Sequence, residues 1–510
     1  MSIVNTASGP VEGTEDAGLQ IFKGIPFAAA PVGPLRWAAP QPPEPWSEPL
    51  AATEFGAQSL QSATPMAAMF GGVQEQVPFS EDCLSLNIWT RGCDDDARPV
   101  MVWIHGGAFI IGSGSSPMYD GAAFANRDVV LVSINYRLGA LGFLRLTDVT
   151  NGAIPSTGNE GLLDQVAALA WVRENIAAFG GDPENVTIFG ESAGGISVGA
   201  LMGVETAAPL FHKAIPQSGA CHTASSVETS NLVAAMTLEK LGIAADDPAA
   251  LLSADSAAIL AAQEAVLAEQ GEPGTQRVQG MAYQPVTEPQ HLPTLPIEAV
   301  RAGSTQGKPM LIGSCLEEMK LFNAMAPGPA DDAQLNDALG KVFAEDERER
   351  IIAGYRAALE ARGKPAGPGD ISSAIGTDRM FRMPGIRLAE AQLELCDDVY
   401  QYLFDWETSF FNFGACHALE LGFVFGTHHV PQLEPFFDGG KEGADTLSDA
   451  MLTGWCQFAA TGNPGGEQPA PSYAQNRSTL IFGADCRIDE DPYPAERALW
   501  DQLEHEIGKM

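Results

Sequence analysis

Basic residues are scarce in this sequence: 28 Lys and Arg stand against 65 Asp and Glu in 510 residues, a formal charge of −37. A surface with that balance repels nucleic-acid phosphates and anionic membranes, which excludes both as partners. Charged residues make up only 18% of the chain, so the imbalance comes from missing bases rather than from acidic tails, and it reads as a solubility feature. Long apolar runs are missing too. Gly, Pro or a charge interrupts each hydrophobic stretch before the roughly 18 residues a membrane-spanning helix needs, so no transmembrane helix is expected. The opening MSIVNTASGPVEG has neither a basic start nor an apolar centre, does not read as a signal peptide, and predicts a cytoplasmic protein. The eight cysteines (83, 93, 221, 315, 396, 416, 456, 486) lack C-x-x-C or Cys/His metal spacing. That pattern argues against zinc and for reduced thiols, with a Cys83–Cys93 bridge as the alternative.

What is present is a large α/β pattern. At 510 residues the chain exceeds a single simple core, which predicts one α/β body with long insertions or a partly separate subdomain. RPVMVWIHGG, DVVLVSINYR, NVTIFG, KPMLIGS, DVYQYLF and STLIFG are short apolar runs ending in glycine-rich or polar turns, and they read as strands. Between them lie helical repeats. In EGLLDQVAALAWVRENIAAFG, Leu162, Val166, Leu169, Val172 and Ile176 recur at three- and four-residue intervals and Gly180 marks the stop. Buried strands alternating with such helices predict a mostly parallel sheet covered on both faces. Two helical stretches, near 225–270 and 323–395, read as insertions that either form a cap beside the sheet or simply cover it. In the final AERALWDQLEHEIG, Leu499, Leu503 and Ile507 sit four residues apart, on a helix that packs on the body or on a second subunit. Monomer and homo-oligomer both remain open.

The chemistry centres on TIFGESAGG, residues 187–195. A strand, a tight G-x-S-x-G turn and a small-residue helix are what a nucleophile elbow requires: Gly190 and Gly194 permit a crowded turn, and Ser192 stands at its apex. The helix N-terminus beside it favours developing negative charge. A second strand, VMVWIHGGAF, ends in small residues whose amides can approach a ligand, so the N–H groups of Gly107, Ala108 and Ala193 form a candidate oxyanion hole. His105, just before those glycines, reads as a brace for the loop. A serine needs a base and the base an orienting acid, in the chain order serine, acid, histidine. His417, in a small-residue loop after DVYQYLF, is the candidate base, with His428 and His429 as rivals. Glu317 and Glu318 both follow the strand PMLIGS at the sheet's carboxyl edge, and the residues alone leave the choice between them open. Phe109, Met118 and Phe322 are candidate pocket residues, with plain core packing as the equal alternative for each.

These stretches resemble the type-B carboxylesterase and cholinesterase family of α/β hydrolases, almost from end to end. FGGDPENVTIFGESAGG satisfies the family's long serine-site signature and EDCLSLNIW approaches its second one. FKGIPFAAAPVGPLRW, NYRLGALGF, KAIPQSGA and ATGNPGG support the match. The resemblance implies the α/β-hydrolase fold, Ser192 as nucleophile, His417 as base and Glu318 as acid, with Gly107, Ala108 and Ala193 as oxyanion donors. It further implies supporting positions near the triad for Glu191, Ser218 and Glu420, and structural ion pairs for Arg36–Glu81 and Arg137–Asp164. It implies no metal or organic cofactor. The chain departs from the pattern in three places. No cysteine precedes Cys83, so the disulfide of secreted members cannot form; Ser85 replaces an aromatic residue or threonine; and EEM replaces the usual acidic-glutamate-glycine run.

The expected activity is serine-dependent hydrolysis of small to medium, largely apolar carboxylic esters, in the manner of the family's bacterial esterases. An amidase, carbamate or lactone specialist on the same triad is the nearer alternative, and a non-catalytic interaction member the more distant one. Small Ala108 after the glycines resembles the loop of members that admit bulky tertiary alcohols.

Overall fold

The computed structural model describes residues 2–63, 77–271, 277–278, 280–324, 326, 328–466, 468–503 and 507–508. Eleven strands form one mixed sheet: β1 (Thr14–Asp16), β2 (Leu19–Pro26), β3 (Ser85–Thr90), β4 (Arg98–Ile104), β5 (Val130–Ile134), β6 (Gly181–Glu191), β7 (Lys213–Gln217), β8 (Met310–Cys315), β9 (Val399–Phe404), β10 (Ser478–Phe482) and β11 (Arg487–Glu490). Their spatial order is β11-β10-β9-β8-β7-β6-β4-β5-β3-β2-β1. The seven strands from β10 across to β5 run parallel. β11 at one edge and β3, β2 and β1 at the other are antiparallel to their neighbours. Every residue of β5, β7, β8 and β9 is buried. Strands covered on both faces have no polar side to show, which is why they read as unbroken apolar runs.

The chain leaves β4 toward β5 on one side and leaves β6 toward β7 on the other. The crevice beyond the carboxyl ends of β4 and β6 is therefore the topological switch point, where open α/β sheets bind ligands. Helix α1 (Glu160–Asn175) leads through a 3₁₀ turn to Gly180, whose φ of 78° is the left-handed stop the sequence anticipated. Helix α2 (Ala193–Gly203) follows β6 directly.

The two helical stretches differ in how they are held. In the first, α3 (Val227–Leu241), α4 (Pro248–Leu252) and α5 (Ser256–Gly271) bury Val233, Met236, Leu251, Ile259 and Val266 in the same core as one face of the sheet. In the second, Leu335, Ile351, Tyr355, Leu359, Ile371 and Ile375 build a separate small core. That core is closed by Trp500, Leu503 and Ile507. The terminal segment thus packs on the body, and its helix is shorter than the four-residue spacing suggests, covering Pro494–Trp500 only. Residues 504–506 of that segment lie outside the described residues.

All eight cysteines are free, so the Cys83–Cys93 bridge is not formed. Among the described residues no helix is long and apolar enough to cross a membrane, and no group of three or more His, Cys, Asp or Glu side chains is arranged to hold a metal ion.

Candidate active site

β6 delivers the serine. Ser192 caps helix α2 with φ 58° and ψ −123°, a conformation a residue with a side chain rarely adopts, and its N–H is pinned to the carbonyl of Gln217 at 3.0 Å. The glycines around it are there for space. A Cβ on Gly194 would sit 2.0 Å from the carbonyl oxygen of Ile104, and one on Gly190 would lie 2.6 Å from the Gly194 backbone. β4, ending at Ile104, and the elbow after β6 can approach this closely only if both positions lack side chains.

The loop after β4 turns back on itself at Gly107 (φ 110°), Ala108 (φ 53°) and Phe109 (φ 61°), with the N–H groups of Ile110 and Ile111 bonded to the Gly107 carbonyl. No hydrogen bond among the described residues is donated by the N–H of Gly107 or Ala108. The N–H of Ala193, at the first position of α2, has no partner within its helix. Gly107, Ala108, Ser192, Glu191, Phe322 and His417 line a single cavity of about 80 Å³, completed mainly by Ile111, Ser113, Ser116, Tyr119 and Leu421. His105 lies behind the loop, stacked on Tyr136 with ring centroids 4.5 Å apart, and burial holds its pKa down at about 4.

His417 and Glu318 come together at the far wall. His417 Nδ1 is 2.5 Å from Glu318 Oε2, and both side chains are buried. Glu318 Oε1 accepts from the Ser218 hydroxyl at 2.6 Å and from the Cys315 N–H at 2.7 Å. Glu317 points elsewhere: its Oε2 accepts from the Ala415 N–H at 3.1 Å and its Oε1 pairs with Lys320 at 2.7 Å. The two adjacent glutamates that sequence left as alternatives thus occupy opposite sides of one turn, and only Glu318 meets the imidazole. Among the rival histidines, His428 pairs with Asp445 at 2.9 Å and stacks on Phe423, while His429 is exposed. Neither lines the cavity.

Three further carboxyl-bearing or hydroxyl positions surround this pair. Ser218 holds Glu318, as just described. Glu420 is fully buried and accepts from Gln217 Nε2 and the Cys315 thiol, each at 3.1 Å. Glu191 places Oε1 3.1 Å from His417 Nε2, and that oxygen has no other partner among the described residues. Burial pushes the Glu191 carboxyl up to about 8. Burial acts against the charged form of His417, yet the carboxylates of Glu191 and Glu318 outweigh it and raise the imidazole from its ordinary 6.5 to about 9. The buried thiols of Cys315 and Cys416 are pushed above the ordinary cysteine value by desolvation, so neither is a thiolate that would compete with Ser192.

Of the three residues left open between pocket and core, two are core. Phe109 is wholly buried with its ring edge-on to Phe143 at 4.9 Å, and Met118 is wholly buried beneath the aromatic cluster of Trp103 and Phe425. The left-handed turn at 107–109 carries Phe109 into the core. Phe322 does line the cavity. Tyr119, Ser113 and Ser116 were not anticipated, because nothing in their local pattern distinguishes a pocket wall from a buried turn. The Cys315 N–H is another contributor that sequence could not supply: it depends on Glu318 curling back three residues at the end of β8.

The Arg36–Glu81 and Arg137–Asp164 pairs are both buried, at 2.5 and 2.7 Å, and lie outside the cavity lining.

Comparison with known proteins gives the same direction. The model of the carboxylesterase family matches residues 1–494. The chain is 38% identical over 501 residues to the para-nitrobenzyl esterase of Bacillus subtilis, covering 97% of each chain. It is 33% identical over 494 residues to the phenmedipham hydrolase of Pseudarthrobacter oxydans, covering 94% of this chain and 95% of the other. A carboxylesterase structure from Geobacillus stearothermophilus superposes with a TM-score of 0.86 at 39% identity, over 98% of this chain and 100% of that one. Likeness this extensive, in sequence and in structure together, establishes descent rather than a shared turn: the chain belongs to the carboxylesterase family.

Proposed function

We propose that the protein hydrolyses carboxylic esters through an acyl-enzyme on Ser192, and the observation that carries this reading is the buried 2.5 Å contact of Glu318 with His417, which lines the same cavity as Ser192. His417 takes the serine proton as the hydroxyl oxygen attacks the ester carbonyl. The oxyanion is assigned to the N–H groups of Gly107 and Ala108, which line the cavity, and of Ala193, which opens helix α2 next to Ser192. His417 then gives its proton to the departing alcohol, and water repeats the sequence on the acyl-enzyme. Glu318 keeps the imidazole in one orientation and stabilises its charged form, while Ser218 and the Cys315 N–H hold Glu318 itself. Where they are ionised, Glu191 and Glu420 favour the imidazolium.

The cavity is small and walled mostly by Ile111, Phe322, Leu421 and Tyr119 with Ala108, which supports short, largely apolar acyl or alcohol groups. Ala108 is the smallest of those side chains, and an ester of a tertiary alcohol, such as a tert-butyl ester, tests directly whether it leaves room for a bulky alcohol group. The relative named as a phenmedipham hydrolase keeps a second reading open, in which the same triad cleaves a carbamate or amide bond. The free thiols support a reducing compartment, and the cytoplasm is our proposed location.

Hydrolysis of p-nitrophenyl acetate and butyrate by the parent, beside Ser192→Ala and a parallel panel of carbamate and amide substrates, is the test. Ester turnover that disappears in Ser192→Ala supports the reading. Turnover of carbamates or amides alone overturns the ester assignment, and activity retained by Ser192→Ala overturns the nucleophile.

A further inference from the structure

The base of the candidate triad is boxed by rings that come from outside the sheet. Phe381 and Phe322 lie 4.9 and 5.0 Å from the His417 ring, each tilted by about half a right angle to it, and they stack on one another at 6.1 Å and 12°. Phe322 lines the cavity; Phe381 stands behind it and does not.

Phe381 occupies an irregular piece of backbone. Between the helices Pro368–Thr377 and Met383–Leu393 the chain makes a π-helical turn, Asp378–Arg382. Such turns are rare, cost helix regularity and concentrate at functional positions. This one is held by a buried polar network. Asp378 binds Arg382 at 2.6 and 2.7 Å and also accepts from the Tyr355 hydroxyl. The Tyr355 oxygen in turn accepts from Trp500 Nε1 at 2.7 Å. The C-terminal segment closes the turn at two more points: Arg382 Nη1 reaches the Pro492 carbonyl at 3.3 Å, and the Gly508 N–H bonds the Arg379 carbonyl at 2.9 Å. The residue just before the turn, Thr377, accepts from the N–H of Met319 at 3.2 Å, the peptide that follows Glu318. The turn thus touches the imidazole through Phe381, and the residue that leads into it, Thr377, touches the acid's backbone. A buried charged network is seldom more stabilising than apolar packing of the same volume, and fixing one backbone form is an attested use of such networks.

We infer that Phe381 is a positioning residue for His417, and that the Tyr355–Asp378–Arg382 network, closed by Trp500, holds the π-turn in the form that places it. The inference rests on the assignment of His417 as base. It predicts that catalysis is sensitive to changes in the second helical core, far from any atom that meets substrate.

The experiment measures kcat and KM for p-nitrophenyl butyrate from pH 5 to 10 in the parent, Phe381→Ala, Phe381→Leu, Tyr355→Phe and His417→Ala, with thermal melts of each. Phe381→Ala lowers kcat about tenfold or more with KM within about threefold, and moves the pH midpoint of kcat/KM upward as water reaches the imidazole. Phe381→Leu restores part of both effects, and Tyr355→Phe shows the same pattern at smaller size. If Phe381→Leu and Tyr355→Phe melt like the parent and keep its kcat and pH midpoint while His417→Ala is inactive, the inference is overturned and the base assignment stands. Activity lost only in proportion to melting temperature, at an unchanged midpoint, equally overturns it. An active His417→Ala overturns the base assignment and this inference together.

Discussion

At the scale of single residues, the site is a problem of which carboxylate does what. Glu317 and Glu318 are chemically identical neighbours, and their sequence context gives no physical ground for choosing. The choice is made by the turn after β8, which aims Glu318 at His417 and Glu317 at Lys320 and the 414–415 backbone. Glu318→Gln keeps the shape and the acceptor for Ser218 but removes the charge that supports an imidazolium. By analogy with the loss of charge in other serine triads, kcat should fall by about 10³- to 10⁴-fold. Glu317→Gln should stay within about threefold; equal losses in the two variants, measured as kcat/KM, would contradict the geometry. The pH dependence follows from the same charges. His417 must be neutral to accept a proton, and its pKa is raised to about 9, so kcat/KM should climb through neutrality and level off only above that value. Glu191→Gln removes a charge that favours the imidazolium and should move the rise to lower pH. A midpoint that stays put or moves upward in that variant would show that Glu191 does not act on His417.

At the scale of elements, the legible and illegible parts separate by mechanism. Helix α1 and the parallel strands were legible because burial alone imposes their periodicity on the sequence. The elbow was legible because close backbone approach leaves glycines at fixed positions. The π-turn at 378–382 was not, since it sits inside an otherwise helical apolar pattern and changes the phase of that pattern by less than one turn. The inward course of Phe109 and the placing of Phe322 at the cavity were likewise undetermined, because an aromatic residue serves a core and a pocket wall equally well. The elbow gives a prediction at this scale. Gly194→Ala forces a Cβ to within 2.0 Å of the Ile104 carbonyl, so β4 and α2 must part. We expect a stability loss of about 1–3 kcal/mol, typical of overpacking, and a fall in kcat larger than that loss explains. Gly18→Ala, where no atom lies within 4 Å but φ is +81°, is the control for left-handed strain without collision. Indistinguishable melts and rates for the two variants would argue against close approach as the reason for Gly194.

At the scale of the whole molecule, distant segments are joined by buried charge as well as by the sheet. Arg36 binds Glu81 and also donates to the carbonyls of Leu251, Leu252 and Ala254, tying the N-terminal region to the first helical stretch. Arg36→Met leaves a buried carboxylate unpaired and should destabilise the fold by roughly 3–5 kcal/mol in denaturant titration. Adding Glu81→Leu should recover part of that; no recovery would mean the carbonyl contacts, not the ion pair, carry the effect. The two helical stretches also divide at this scale, one sharing the sheet's core and the other building its own around Tyr355 and Trp500. Composition foresaw helices in both places but could not foresee that division, which depends on long-range packing.

The most direct test of the central claim is rapid acid quenching of the protein during turnover of p-nitrophenyl butyrate, followed by peptide mass mapping. The account predicts a butyryl group on the peptide carrying Ser192, absent in Ser192→Ala and accumulating in His417→Ala only at a greatly reduced rate. A butyryl group on another residue, or full turnover with no covalent adduct at any quench time, would contradict it.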